Sequence, residues 1–178
     1  MLVINLCAGP CAGKSWLARD LTNRLSANGL QVEYVSEVAK MWVLEGHISK
    51  CKEHQILLFA QQLYQQTLFE NAGVDAIVCD SPLFLAEVYL NFYGNAADTL
   101  SNLIREEFNK RNNYNVLIKR SMGEYSNVGR YQSHEEAIKI DRNIEWWLQT
   151  YNHQYVSFQR GCEQDLTDRI LHEVEGLA

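Results

Sequence analysis

Proline is scarce in this chain, with two residues among 178, and no segment is rich in glycine, serine or proline. Hydrophobic residues make up 47% of the sequence, a content that is typical of a folded chain and excludes extensive disorder. No internal repeat, low-complexity tract or linker divides the sequence. We therefore expect a single domain over residues 1–178, long enough to bury a substantial core.

Positive charge is also in deficit, because the formal net charge at pH 7 is -6. A surface built for nonspecific binding to nucleic acid is basic, so this balance disfavours such a partner, although a local basic channel would be hidden in the average. The sequence has no run of roughly 18 apolar residues that would span a membrane. Its N-terminus lacks a basic region followed by an apolar segment, so we expect a cytoplasmic location and no membrane contact.

Disulfide and metal-binding patterns are missing as well. The five cysteines are odd in number and none forms a C-x-x-C pair, which favours reduced thiols packed beside strands. Two of them, Cys7 and Cys11, flank a glycine-rich turn, where sensitivity to oxidation is the alternative to simple packing. None of the five histidines has metal-ligand spacing with another, so the sequence predicts no histidine-based metal centre.

That glycine-rich turn, AGPCAGKS at residues 8–15, is the most informative segment. It follows the apolar run LVINL, which suits a buried parallel strand, and it precedes a segment with helical periodicity. A strand, a glycine-rich turn and a helix together place backbone N–H groups and a helix N-terminus around an anion. The pattern predicts a phosphate-binding loop whose ligand-binding residues are Gly9, Pro10, Cys11, Ala12, Gly13, Lys14, Ser15 and Trp16.

Two side chains of this loop have predicted roles. Lys14 would reach the β- and γ-phosphates of a nucleotide, and the Ser15 hydroxyl would ligate Mg²⁺. The strict motif begins with glycine, whereas this chain has Ala8. Alanine is excluded there only if the backbone requires a positive φ, so we expect an ordinary backbone conformation at Ala8.

Strand and helix patterns alternate along the rest of the chain. Helical segments separate short apolar runs, which predict strands at 31–35, 76–80, 114–119 and 154–158. Ser133 with Glu136 three positions later forms a capping box, which predicts the start of a late helix. Five strands with intervening helices predict a three-layer α/β/α domain around a parallel sheet.

Acidic residues follow the second and third predicted strands, on the sheet edge where open α/β folds bind ligands. Glu37 is a candidate general base for an acceptor hydroxyl, or a ligand to it, and the alternative is a charge that offsets a helix dipole. Asp80 ends a buried strand and is a candidate second ligand of Mg²⁺ or a group at the acceptor site. The residues alone leave open which of the two carboxylates is the general base.

Residues 53–71 form the longest predicted helix. Its apolar stripe, which we expect to face the core, contains Ile56, Leu57, Phe59, Ala60, Leu63, Tyr64 and Leu68. The other side carries Gln61, Gln62, Gln65 and Gln66. Such a side is usually solvated, but an amide can also form two hydrogen bonds with a nucleobase edge. Gln61 or Gln62 is therefore a candidate for base recognition.

A polar segment at about 120–133 contains two glycines, two arginines and two tyrosines. A segment of this composition can close over phosphates as a small lid, exclude water and neutralise charge, and an ordinary surface loop is the alternative. Arg120 and Arg130 are the candidate cations. The shape of an acceptor pocket would depend on residues far apart in the chain, for which we select Glu37, Gln61, Tyr64, Tyr89 and Tyr125.

The order of these features resembles the compact P-loop kinases, such as the nucleoside and nucleoside-monophosphate kinases. The segments that carry a closer resemblance are 9–15, 36–40, 80–83 and 129–132, together with 135–137 and Asp141. They resemble a group that includes the ribosylnicotinamide-kinase domain of a bifunctional regulator of NAD biosynthesis and many small phage-encoded ATP-binding proteins. Ser81 stands where the wider family often has an arginine, so the resemblance assigns no phosphate clamp to that position.

This resemblance implies a sheet with strand order 2-3-1-4-5, ATP with Mg²⁺ as cofactors, and phosphoryl transfer to an acceptor hydroxyl or phosphate. The leading hypothesis is a kinase of a nucleoside, nucleotide or similar small molecule, acting as a monomer or homodimer. A kinase of a polynucleotide end or of a modified DNA base is a second hypothesis, which the acidic charge balance disfavours. A regulatory ATP-binding module without turnover is the third.

Overall fold

The computed structural model describes residues 1–120 and 131–176. Five parallel strands form one sheet in the order β2-β3-β1-β4-β5, as the resemblance implies. The strands are β1 (Leu2–Cys7), β2 (Val32–Val35), β3 (Ala76–Cys79), β4 (Asn112–Ile118) and β5 (Tyr155–Phe158). The helices are α1 (Lys14–Ala27), α2 (Val38–Leu44), α3 (Ile48–Glu53), α4 (Gln55–Ala72), α5 (Leu85–Phe92), α6 (Asp98–Asn109), α7 (His134–Thr150) and α8 (Glu163–Glu175).

Strand β1 is the centre of the sheet, and every one of its residues is buried. It pairs with β3 from Leu2 opposite Ala76, and with β4 from Leu2 opposite Asn112. A strand that is covered on both faces needs a nearly continuous apolar sequence, which is what residues 2–7 provide. The predicted three-layer α/β/α architecture is therefore confirmed.

The two faces of the sheet carry separate cores. Alternate β1 side chains such as Ile4 and Leu6 pack with helices α1 and α8. The opposite face carries Cys7 and packs with α5, α6 and α7, where the Trp147 ring stacks on Phe84 at a centroid distance of 4.3 Å. Helices thus cover both faces of the sheet, so a site for a ligand is expected at the ends of the strands.

A buried carboxylate connects the helices of the second core. Glu87 on α5 is almost fully buried, and its Oε2 accepts a hydrogen bond from Trp147 Nε1 at 2.8 Å. Its Oε1 lies 3.2 Å from Arg105 Nε on α6, in an ion pair that is not aligned as a hydrogen bond. One side chain thus links α5, α6 and α7, because a buried charge is tolerated only when partners surround it.

The predicted capping box of the late helix is confirmed. The Ser133 hydroxyl accepts a hydrogen bond from the Glu136 backbone N–H at 3.1 Å, and the Glu136 carboxylate accepts one from the Ser133 N–H at 2.7 Å. These reciprocal bonds satisfy two donors that the start of a helix would otherwise leave unpaired. Helix α7 consequently begins at His134.

The predicted orientation of the long helix is wrong. Helix α4 buries Gln55, Phe59, Gln62 and Gln66, while most of the apolar stripe faces outward, including Ile56, Leu57, Tyr64 and Leu68. Gln66 is accommodated against the sheet because its Nε2 lies 3.4 Å from Cys79 Sγ on β3. The pattern misled because residues 55–69 contain no charged side chain, so neither side of the helix had a strong preference for water.

Two of the cysteines lie in the middle of the sheet. Cys7 ends β1 and Cys79 ends β3, and both side chains are fully buried, as expected for thiols packed beside strands. Burial raises the pKa of both thiols above the ordinary value, which keeps them protonated and unreactive. In the described parts of the chain, no helix combines the length and the apolar character needed to cross a membrane.

Candidate functional site

The predicted site residues meet at one edge of the sheet. Strands β1 to β4 are parallel and in register, so their carboxyl ends lie side by side. Ala8, Glu37, Asp80 and Arg120 each follow one of these ends within one or two residues. The strand order reverses on either side of β1, and ligands in open α/β sheets bind in the crevice at such a point.

The loop after β1 has the backbone of an anion-binding turn. Gly13 precedes α1 with a φ of 90°, a left-handed conformation that glycine adopts without steric cost. Cys11 is also left-handed, with a φ of 60°, and this is uncommon for a residue with a side chain. Within the described ranges the other such non-glycine residue is Asn152, so Ala8 has the ordinary backbone that we expected.

Lys14 lies inside this loop. Its side chain is buried, and the Nζ atom donates a hydrogen bond to the Gly9 carbonyl oxygen at 2.9 Å. Ser15 follows in the first turn of α1, where backbone N–H groups have no partner within the helix. The loop therefore brings a buried lysine ammonium to the N-terminus of α1, with the Ser15 hydroxyl in the first turn of that helix, and these are donors that a phosphate group can use.

Gly9 is required by the helix behind the loop. A Cβ atom at this position would lie 2.8 Å from the Ala137 carbonyl oxygen and 3.0 Å from Asp141 Oδ1. The Gly9 N–H donates a hydrogen bond of 2.6 Å to the same Asp141 oxygen. The start of the phosphate loop is thus held directly against α7, a contact that no local sequence pattern indicated.

Asp80 has the burial and the vacant bonding capacity of a cation ligand. The residue is 1% exposed, and its Oδ2 accepts a hydrogen bond from the Tyr34 hydroxyl at 3.0 Å. Its Oδ1 is buried with no hydrogen-bond partner. Burial, with the nearby Asp80 charge as a second cause, raises the pKa of Tyr34, so the phenol remains a donor to Asp80.

The residues at this edge fit Mg²⁺ bound together with a nucleotide. Among residues 1–120 and 131–176, no group of three or more acidic, histidine or cysteine side chains is arranged to hold a metal ion alone. Mg²⁺ usually keeps several waters and binds one or two carboxylates plus substrate phosphates, so it needs no such cluster. The Asp80 oxygen without a partner and the Ser15 hydroxyl beside the phosphate loop are suitable oxygen ligands.

A pocket opens beside the phosphate loop, with an empty volume of about 690 Å³ that includes its mouth. Lys14 and Pro10 line one side, and Ser81 and Pro82, directly after Asp80, line another. Glu37 also lines this pocket from the start of α2, where its side chain makes no capping hydrogen bond. The phosphate loop, the end of β3 and the start of α2 thus border one pocket.

The two candidate glutamines of α4 are now distinguished. Gln62 lines the pocket, is 4% exposed, and has a buried Nε2 without a hydrogen-bond partner. Gln61 is exposed and does not line the pocket, and Tyr64 is 68% exposed, so both predicted assignments to the pocket are wrong. Consecutive helix positions point about 100° apart, which is why only one of the two adjacent amides reaches the pocket. Tyr89 lines the pocket as expected.

The structure describes only part of the predicted lid segment at about 120–133. Arg130 and Tyr125 lie outside the described residues. Arg120 forms a two-bond contact with Asp141, in which its Nε donates to Oδ2 at 2.8 Å and its Nη2 donates to Oδ1 at 3.2 Å. The guanidinium is therefore held near the phosphate loop by the carboxylate that also binds Gly9.

Two further pocket residues were missed by the sequence interpretation. Tyr131 and Gln132, near the end of the predicted lid segment, line the pocket. The Tyr93 hydroxyl donates to the Tyr131 hydroxyl at 3.0 Å, and Gln132 Nε2 donates to Tyr93 at 3.0 Å. The Lys52 ammonium lies 5.4 Å from the centre of the Tyr131 ring. The available sequence signal was the motif GRYQ at 129–132, one of the segments that carry the family resemblance. Its tyrosine and glutamine are the two residues that line the pocket.

Comparisons with known proteins agree with this geometry. The sheet order and the three layers match P-loop kinase folds, which is the class that the fold and the loop define. A family model described as an AAA domain matches residues 3–165, and this chain belongs to that family. A search of the curated proteins found no match.

Solved structures resemble the chain in fold. The deoxyadenosine kinase of M. mycoides, with products dCMP and a flexible dCDP bound, has 13% identity and a TM-score of 0.58 over 99% of this chain and 100% of its own. The same enzyme with bound dATP has 15% identity and a TM-score of 0.56 over 98% and 100%. The NadR protein in complex with NR has 16% identity and a TM-score of 0.66, over 98% of this chain and 51% of NadR.

Proposed function

We propose that this protein is an ATP-dependent phosphotransferase that moves the γ-phosphoryl group to a nucleoside, nucleotide or similar small molecule. The observation that carries the proposal is one pocket that is lined by Lys14 of the phosphate loop, by Glu37 and by Gln62. A cation for the phosphates, a carboxylate for the acceptor oxygen and an amide for a base would thus line one pocket. The solved structures that share this fold are described with dCMP, dCDP, dATP and NR bound, which supports a ligand of this class.

The donor phosphates would bind at the loop from Gly9 to Trp16. Its backbone N–H groups and the N-terminus of α1 would hold the β- and γ-phosphates, and Lys14 would exchange its bond with the Gly9 carbonyl for a phosphate oxygen. Arg120 and Arg130 would neutralise charge on the transferring group. Because phosphoryl transfer depends mainly on positioning and charge neutralisation, no covalent nucleophile is required.

Ser15 and Asp80 are the residues that would hold Mg²⁺. When bound, the ion supplies charge neutralisation across the phosphates. The Tyr34 hydroxyl holds one Asp80 oxygen, which leaves the other oxygen without a hydrogen-bond partner and available to the ion. Removing Tyr34 would leave the carboxylate buried and free to rotate.

Glu37 or Asp80 would accept the proton of the acceptor hydroxyl, and Glu37 is the better placed for it. Glu37 is half-buried and lines the pocket, whereas Asp80 is almost fully buried and one of its oxygens is already bonded to Tyr34. A general base must come within hydrogen-bond reach of the proton that it removes. Gln62 would bind the edge of the acceptor base, in a pocket that Tyr89 and Tyr131 also line.

The first test is transfer of label. The purified protein is incubated with Mg²⁺ and γ-labelled ATP against a panel of nucleosides, nucleoside monophosphates, ribosylnicotinamide and DNA. We expect label in one small-molecule class. Lys14→Ala should lower the transfer rate by at least about a hundredfold and leave the fold intact, because each lost electrostatic contact at a transition state is worth a few kcal/mol. Lys139→Ala, at an exposed position of α7, is the matched control and should leave transfer unchanged.

Other outcomes favour the remaining hypotheses. Transfer to DNA, with binding that weakens steeply as salt rises, would indicate a polynucleotide kinase. Tight ATP binding with no transfer to any acceptor would indicate a regulatory module. Near-normal transfer by folded Lys14→Ala protein would remove the phosphate loop from the mechanism and contradict the proposal.

A further inference from the structure

One carboxylate contacts both the phosphate loop and the Arg120 guanidinium. Asp141 projects from the second turn of α7, and its Oδ1 accepts the Gly9 backbone N–H at 2.6 Å. The same side chain accepts two hydrogen bonds from Arg120, at 2.8 Å and 3.2 Å. The side chains of Arg120 and Asp141 are 14% and 25% exposed, so water screens the pair only in part.

This arrangement is unfavourable for an anion unless the charges stay paired. A carboxylate that touches the start of a phosphate-binding loop repels the phosphates that the loop is built to hold. Arg120 cancels this charge, and its guanidinium matches a carboxylate through two parallel bonds, which fixes its orientation. The Gly9 N–H bond to Asp141 holds the loop against α7, and a side chain at position 9 would not fit in that contact.

We propose that Asp141 is a positioning residue that couples the phosphate loop to Arg120. It holds the guanidinium in a fixed orientation beside the loop, and Arg120 in turn shields the bound phosphates from the Asp141 charge. The inference rests on the proposed function, because it assigns Arg120 to the phosphates. The new element is that Arg120 acts on the phosphates only while its guanidinium is paired with the Asp141 carboxylate.

The coupling makes the effects of two substitutions non-additive. Arg120→Ala leaves an unpaired carboxylate at the phosphate loop, so ATP binding should weaken by about tenfold or more. In Arg120→Ala/Asp141→Asn that charge is gone, and ATP affinity should return to within about threefold of the wild type. Asp141→Asn alone keeps one oxygen for the Gly9 N–H, so ATP should bind at least as tightly as in the wild type while kcat falls.

A neighbouring ion pair provides the control. Lys119 and Glu145 join the same two segments, one residue before Arg120 and four after Asp141, with an Nζ to Oε1 distance of 3.2 Å. Their side chains are 50% and 38% exposed, well above those of Arg120 and Asp141. Lys119→Ala, Glu145→Gln and their double variant should leave ATP affinity unchanged, because exposed pairs contribute little.

The experiment measures ATP dissociation constants by calorimetry and melting temperatures for both sets of variants, so it needs no knowledge of the acceptor. Recovery of ATP binding in the double variant supports the inference. Additive losses, or a loss of ATP binding in Asp141→Asn that follows its melting temperature, would show a plain structural clamp and overturn it. Wild-type protein that binds no ATP would instead refute the proposed function and the inference with it. If Arg120→Ala does not fold, Arg120→Gln replaces it in the same cycle.

Discussion

Replacing Gln62 by methionine separates the stability of the fold from recognition of the acceptor. The Gln62 Nε2 atom is buried with no hydrogen-bond partner, and such a group costs about 1–3 kcal/mol of folding free energy. Methionine has nearly the same length and volume and no polar hydrogen. We therefore expect Gln62→Met to raise the free energy of unfolding by about 1 kcal/mol, which corresponds to an increase in Tm of about 2–4 °C for a chain of this size.

Activity should change in the opposite direction. If the amide binds the acceptor base, its loss leaves a polar group of the bound acceptor unpaired, at a cost of about 1.4–3 kcal/mol. This predicts a decrease of roughly 10- to 100-fold in kcat/KM for the acceptor. The KM for ATP should change little, because α4 contributes no residue to the phosphate loop.

Gln61→Met is the matched control, since it makes the same chemical change at the adjacent, exposed position. We expect neither its Tm nor its acceptor kinetics to differ appreciably from the wild type. Thermal unfolding by circular dichroism and steady-state transfer of label measure the two quantities. A Gln62→Met protein that is destabilised in proportion to its loss of activity would refute the reasoning. A Gln61→Met protein with the same changes in Tm and acceptor kinetics as Gln62→Met would refute it as well.

Two further predictions concern stability. Glu87→Ala removes the hydrogen-bond acceptor of Trp147 and the ion-pair partner of Arg105, so the free energy of unfolding in urea should fall by about 2–4 kcal/mol. The control Glu106→Ala, at an exposed ion pair, should lower it by less than about 0.5 kcal/mol. A loss below about 1 kcal/mol at Glu87 would contradict the role assigned to this carboxylate. His153 stacks on Trp147, and burial lowers its pKa, so protonation favours the unfolded chain and stability should fall as the pH decreases below about 6.5. His153→Phe should make the Tm less dependent on pH in that range, and an unchanged pH profile would show that other groups cause the decline.

The phosphate loop and the two acidic strand ends could be predicted because their signals are local. The loop is a run of consecutive residues between a strand and a helix. Glu37 and Asp80 follow from a single rule, since parallel strands place their carboxyl ends at one edge. The capping box at Ser133 is likewise contained within four residues. The strand order, in contrast, came from the family resemblance, because pairing between distant strands has no local signature.

The remaining features depend on contacts that a linear pattern does not contain. The orientation of α4 was predicted incorrectly, because its uncharged sequence allowed either face to be buried. Asp141 binds Gly9, and Tyr34 binds Asp80, across large separations in the chain. In the sequence alone, Asp141 fits an ordinary helix position and Tyr34 an ordinary strand position. Side-chain hydrogen bonds between separate elements thus required coordinates.

The central position of β1 has a consequence for synthesis of the chain. Leu2–Cys7 is made before the strands that it pairs with, which are Ala76–Cys79 and Asn112–Ile118. At roughly 5–20 residues per second, the first partner follows after about 4–15 s, and the second follows later still. A largely apolar strand therefore waits unpaired in the nascent chain, and the adjoining loop has no sheet to support it during that time. The central strand can therefore complete its pairing only after translation has passed residue 118.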